Sequence, residues 1–159
     1  MWDIYSCDVI LSSRFPVQSW EKIRVLYSSV LFWITFSFIP SYMLISWLNK
    51  LSLIDYPWHV ACVVFTLGCN MRCDFCHNSE FVLLEKIQKL KRDLHAEKSF
   101  FEFLTRRVWL LDGVSICGGE PTIHRDLPWF CQQIHNLGFD IKLDTNGQNP
   151  DMLEHLIQY

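Results

Sequence analysis

Val60–Thr66, VACVVFT, runs through Leu67-Gly68 into Cys69-Asn70-Met71-Arg72-Cys73-Asp74-Phe75-Cys76, and this junction decides the fold. A continuous apolar, β-branched run is what a strand buried on both faces of a parallel sheet looks like. The cysteine loop follows at its C-terminal end, where α/β folds carry their functional loops. Downstream the arrangement repeats. Gly113–Cys117 (GVSIC) predicts a second strand that ends in Gly118-Gly119-Glu120-Pro121. A helix follows, with Asp126 as N-cap, Pro128 in the first turn, Leu127, Phe130, Cys131, Ile134 and Leu137 at helical spacing, and Gly138 as the stop. Phe139, Ile141 and Leu143 alternate as a third strand closed by Asp144-Thr145-Asn146-Gly147, and Asn149-Pro150 opens a last helix with Leu153, Leu156 and Ile157 facing inward. Between the first two strands, Glu80–Arg107 predicts a helix interrupted near Asp93–His95, with Phe100, Phe103, Leu104 and Arg107 spaced so that the aromatics share a face. With right-handed crossovers, this β-loop-α-β-α-β-α order is an α/β fold of parallel strands with helices outside. Its three loops then meet on one rim.

Composition narrows the class. The 159 residues are 50% hydrophobic and 19% charged with a formal net charge of −3, which excludes an acidic disordered tail and a basic nucleic-acid binder. Of the seven cysteines, Cys69, Cys73 and Cys76 are clustered while Cys7, Cys62, Cys117 and Cys131 are scattered. That distribution indicates metal ligation in a reducing, cytoplasmic compartment rather than a disulfide framework. Cys62, Cys117 and Cys131 read as small apolar packing residues.

Two regions are expected: a hydrophobic N-terminal extension over 1–48 and the chemistry-bearing domain over 49–159. Val25–Asn49 carries no charge and is long enough to cross a bilayer. Its serines and central Pro40 weaken insertion, and Arg14, Lys22 and Arg24 ahead of it would place the thiols in an oxidising space. A membrane anchor, a segment packed on the domain and residues outside the mature protein are the three readings. The third is favoured, with translation from Met43, so no membrane association is expected.

The C-x3-C-x2-C spacing lets one loop offer three thiolates to three corners of a cubane. A four-iron electron carrier uses four cysteines; three leave one iron free to bind a substrate. The competing reading is a zinc site of Cys69, Cys73, Cys76 and His77, although adjacent Cys76 and His77 strain such a set. Histidines 59, 95, 124, 135 and 155 form no constellation and read as surface residues.

C-x3-C-x-aromatic-C after a buried strand, with GGEP ending the next, resembles the radical S-adenosylmethionine superfamily. Ser52–Pro57 (SLIDYP), Val63–Asn78 (VVFTLGCNMRCDFCHN), Leu111–Thr122 (LDGVSICGGEPT) and Lys142–Pro150 (KLDTNGQNP) are similar to the activating proteins of anaerobic ribonucleoside-triphosphate reductase, with pyruvate formate-lyase activating enzymes as close relatives. The resemblance implies a partial (β/α) barrel, incomplete at its C-terminal end, and a [4Fe–4S] cluster on Cys69, Cys73 and Cys76 whose fourth iron is chelated by S-adenosylmethionine. It further implies reductive cleavage to a 5′-deoxyadenosyl radical, which takes a hydrogen from a glycine of the reductase, and a flavodoxin- or ferredoxin-type electron donor. Carried over residue by residue, Phe75 lies near the adenine. Gly118 and Gly119 let backbone approach the methionyl end, Glu120 complements its ammonium group, and Asp144, Thr145 and Asn146 hydrogen-bond the cofactor. Three departures stand out. Trp58 replaces a usual glycine, Cys117 a common serine, and the matched region stops after three strands, which leaves one sheet edge open. A small-molecule radical enzyme and a zinc-stabilised binding module are the competing functions.

Overall fold

A computed structural model describes residues 7–11, for the backbone alone, and residues 43–83, 85–87 and 97–158. Its strands are β1 (Cys7–Leu11), β2 (Ile45–Ser52), β3 (Ala61–Thr66), β4 (Gly113–Gly118) and β5 (Asp140–Thr145). Its helices are α1 (Ser79–Val82), α2 (Glu97–Thr105), α3 (Leu127–Asn136) and α4 (Pro150–Ile157), with a 3-10 turn at Pro121–Ile123. The described strands form one sheet in the order β1-β5-β4-β3-β2. Its centre is parallel, as expected: Ala61 pairs with Gly113 and Gly113 with Asp140, so the three strands start level and their C-terminal ends form a common rim. No closed barrel is present among the described residues.

The flanks differ from expectation. β2 joins β3 antiparallel, and β1 joins β5 antiparallel with Cys7 opposite Thr145 and Leu11 opposite Ile141. One open edge is expected from the sequence, but both edges of the parallel centre are covered, β3 by β2 and β5 by β1, whose backbone groups satisfy the edge strands' unpaired N–H and C=O groups. Residues 12–42, with most of the uncharged stretch, lie outside the described residues; among the described residues no helix is long and apolar enough to cross a membrane.

Helices α2, α3 and α4 pack on one face of the sheet, because every second residue of β3, β4 and β5 points there. Cys62, Val64, Val114, Ile116, Ile141 and Leu143 meet Phe100 and Leu104 of α2 and Leu127, Phe130 and Ile134 of α3, all 5% exposed or less. The Phe100 and Phe130 rings stack with centroids 5.4 Å apart. Each such side chain contributes roughly 1.5–3 kcal/mol by leaving water. Met43, Ile45 and Leu48 belong to the same core. The other face carries Val63, Phe65, Ser115, Cys117, Lys142 and Asp144, and so is the more polar one.

Local signals were mostly realised. Asn149 caps α4 by accepting from Met152 N at 3.3 Å, and Gly138 ends α3 at φ +89°. Asp126 occupies the N-cap position of α3, but its carboxylate makes no capping bond. Two expectations fail. The helix expected from Glu80 is broken at Leu83, which is extended, and helical residues resume at 85–87; at the break the Phe81 carbonyl accepts from Gly68 N of the cysteine loop at 2.7 Å. The break expected near Asp93–His95 lies outside the described residues. Ile157 is exposed, and of the α4 positions expected inside only Leu156 is fully buried. Trp58, where the family pattern has glycine, sits at φ +67° and is fully exposed, so a bulky residue occupies a backbone conformation that suits glycine.

Candidate functional site

The rim is built where β3, β4 and β5 end. β3 and β4 stay joined beyond their last paired residues: Gly119 N donates to Thr66 O at 2.9 Å and Glu120 N to Gly68 O at 2.8 Å. This seam explains both glycines. Gly118 has φ +115°, and a Cβ there would lie 2.3 Å from Thr66 N; a Cβ on Gly119 would lie 1.8 Å from Gly68 O. The close approach that forbids side chains is thus between the GGEP loop and the root of the cysteine loop. The expectation assigned it to a cofactor.

Glu120 is 1% exposed, and its carboxylate joins two loops. Oε1 accepts from Thr122 N at 3.0 Å, Thr122 Oγ1 at 2.5 Å and Thr145 Oγ1 at 2.7 Å; Oε2 accepts from Asn146 N at 2.7 Å. Both oxygens are engaged from inside the protein, so the carboxylate braces the two loops. Asn149 Nδ2 adds a bond to Thr122 O at 2.7 Å. The GGEP and DTNG loops therefore form one buried, hydrogen-bonded unit.

Asp144 and Asn146 diverge, because Asp144 lies within β5 and Asn146 lies past its end at Thr145, where the strand's alternation no longer holds. Asp144 is half-buried on the polar sheet face, 2.5 Å from Lys142 Nζ, and accepts from Ser115 Oγ at 3.4 Å. Cys117 shares that face. Burial, with Asp144 and Asp55 nearby, pushes its thiol up to about 12, so it stays protonated; burial does the same at Cys62 and Cys131. Asn146 instead reaches the cysteine loop, donating from Nδ2 to Asn70 Oδ1 at 2.8 Å.

The cysteine loop has no regular structure over residues 67–78. Cys69 and Cys76 are half-buried, Cys73 is exposed, and all three are free thiols. Met71 N donates to Cys69 Sγ at 3.3 Å, Cys76 N to Cys73 O at 3.2 Å, and Arg72 Nη1 to the Cys69 and Met71 carbonyls, both at 2.7 Å. Phe75 is 69% exposed between two of the cysteines. Among the described residues no three His, Cys, Asp or Glu side chains converge on one metal-sized point. As a donor set the loop still suits an iron–sulfur cluster: three unpaired thiols on one segment, rooted by backbone bonds at Gly68 and accessible from outside. The expected ligands share a loop, then, without their sulfurs being drawn together.

Sequence reasoning missed two histidines. His124 is half-buried and its Nε2 bonds Leu67 O at 2.8 Å, tying the 3-10 turn to the start of the cysteine loop. Burial holds its pKa below the usual value, against the opposing pull of Leu67, Asp126 and Glu120. His59 stacks on Tyr56 at 4.1 Å and lies 3.3 Å from Asp140 at the opposite end of the sheet. Neither had a signal beyond its position after a motif, because Leu67 and Asp140, the groups that tie each to another part of the sheet, are distant in sequence.

A family model described as the Radical SAM superfamily matches residues 63–159. A Methanocaldococcus jannaschii protein named as a glycyl-radical enzyme activating enzyme is 38% identical over 118 residues, covering 72% of this chain and 45% of that protein. A Haemophilus influenzae protein named in the same way is 31% identical over 86 residues, covering 53% of this chain and 31% of that protein. A 7-carboxy-7-deazaguanine synthase of Aquifex aeolicus is 30% identical over 81 residues, covering 50% of this chain and 33% of that protein. The chain spans less than half the length of these curated relatives, and no solved structure matches it significantly. Since the matched region covers more than half of the chain and includes β4, β5 and the whole three-cysteine loop, the chain belongs to the Radical SAM superfamily.

Proposed function

We propose that this chain is the cluster-bearing part of a glycyl-radical activase that serves anaerobic ribonucleoside-triphosphate reductase. The observation that carries the reading is the junction of β3 with the three-cysteine loop, seamed to the GGEP loop and through it to DTNG, in a chain with relatives named as glycyl-radical enzyme activating enzymes. Family membership implies an iron–sulfur cluster and S-adenosylmethionine; the form proposed is [4Fe–4S], held by Cys69, Cys73 and Cys76. When bound, the pair supplies one-electron cleavage of a sulfonium, with the electron drawn from a flavodoxin- or ferredoxin-type donor.

The protein's own share is positional. Gly119 and Glu120 hold the root of the loop with backbone bonds, His124 anchors Leu67, and Asn146 reaches across from β5 to Asn70. Phe75, exposed beside two of the thiols, offers an aromatic face for an adenine, and the Gly118-Gly119 backbone and Asp144 border the same rim. A second reading, a radical enzyme acting on a small molecule, draws support from the likeness to the deazaguanine synthase.

Anaerobic purification followed by iron and sulfide analysis is the first test. Iron with sulfide in the unaltered protein, lost in Cys69→Ala, Cys73→Ala and Cys76→Ala but kept in Cys131→Ala, is the expected result. Stoichiometric zinc without sulfide sinks the proposal in favour of a binding module. With the cluster in place, incubation with reductant, S-adenosylmethionine and the reductase should yield 5′-deoxyadenosine and a glycyl radical signal. Cleavage that never marks the reductase transfers the assignment to the small-molecule reading.

A further inference from the structure

We infer that Asn146 is a positioning residue that donates a hydrogen bond to the Cys69 sulfur and thereby raises the reduction potential of the cluster that this loop holds. The inference rests on the cluster reading proposed above and concerns a contact between residues far apart in sequence. Asn146 is held from three sides. Its backbone N–H is fixed on the buried Glu120 carboxylate at 2.7 Å, and its Oδ1 accepts from Gln148 N at 3.0 Å. The second bond settles which way the amide faces: with oxygen spent on a backbone N–H, Nδ2 must point to the cysteine loop. A primary amide nitrogen has two hydrogens to give. One goes to Asn70 Oδ1 at 2.8 Å, and Cys69 Sγ lies within reach of the other at 3.9 Å. The same sulfur accepts from Met71 N at 3.3 Å. Cys69 thus faces two N–H donors, one local and one delivered from the end of β5.

Donors aimed at a ligating sulfur withdraw charge from it. They favour the more negative, reduced form, and hydrogen bonds to the sulfurs are among the levers that set iron–sulfur potentials. The side chain that the family resemblance assigned to the cofactor is, in this geometry, turned toward a cluster ligand. Through Glu120 the potential is also linked to the rigidity of the GGEP and DTNG unit, since the carboxylate fixes where the Asn146 backbone starts.

The test is an EPR-monitored redox titration of the full chain, reconstituted with iron and sulfide, comparing the unaltered protein with Asn146→Asp and Asn146→Ala. Asn146→Asp keeps the size and the acceptor for Gln148 N but replaces the donor with a negative charge. A tenfold loss in the one-electron reduction equilibrium is expected, which is about 59 mV more negative, with a smaller shift of the same sign in Asn146→Ala. A midpoint unmoved in both variants, or moved upward, at unchanged iron and sulfide content overturns the inference and leaves the cluster reading intact. Folded variants that both fail to take up iron also overturn it, because they would make Asn146 a brace for the loop and not a tuner of potential. Absence of iron and sulfide from the unaltered protein overturns the cluster reading itself, so the two failures are distinguishable.

Discussion

The two halves of the rim are organised in different ways. The GGEP and DTNG loops are joined through a carboxylate that is 1% exposed and accepts four hydrogen bonds, and two glycines lie so close to neighbouring backbone that no side chain fits. The cysteine loop, a few residues away, has no regular structure between Leu67 and Asn78, carries an exposed Cys73, and leaves its three sulfurs unconverged. The contrast has a physical cause. Buried polar groups must find partners inside the protein, so a loop built around Glu120 is rigid from its own chemistry. Thiols on an exposed loop have no such obligation; where a metal site is assembled on such a loop, binding and ordering share one free energy. One half of the rim is therefore shaped by its own buried hydrogen bonds, and the other carries thiols that the fold does not draw together.

That contrast can be broken most severely at Glu120. Glu120→Ala leaves the Thr122 and Asn146 N–H groups and two hydroxyls without their acceptor, and a loss of about 3–5 kcal/mol is expected in urea unfolding of the metal-free protein. A loss below 1 kcal/mol, on that same order-of-magnitude scale, would mean that the loops are not one unit.

Gly119→Ala is expected to cost less, about 1–3 kcal/mol, because a Cβ placed 1.8 Å from Gly68 O forces the seam apart. It should also speed hydrogen exchange at the Glu120 amide, whose acceptor is that same oxygen. Unchanged protection at Glu120 would show that the seam opens elsewhere.

The smallest effect belongs to the cysteine loop. Cys73→Ala should move the stability of the metal-free protein by no more than about 0.5 kcal/mol, as surface substitutions usually do, while abolishing iron uptake. A large loss of stability without metal would show that the loop is as tightly built as its neighbour.

The sequence carried much of this in local form. The apolar run at Val60–Thr66 became β3, one of the three parallel strands, Asn149 caps α4, Gly138 ends α3, and the three motif loops lie on one rim. Such features are legible because spacing, capping and turn chemistry act over a few residues. The glycines of GGEP were legible as a place of close approach, but which atoms approach was not.

What the amino-acid order determined alone was the three parallel strands β3, β4 and β5, the helices α3 and α4, where the three thiols sit along the chain, and which loops follow which of those strands. Only the tertiary structure decided what those loops do to one another. Glu120 meets Thr145 and Asn146, His124 meets Leu67, Asn146 meets Asn70 beside Cys69, and Cys7–Leu11 covers the edge at β5. Each of these is a match between a polar group and a partner more than twenty residues away, selected by the cost of burying or leaving it unpaired. That cost exists only once the chain has closed around it.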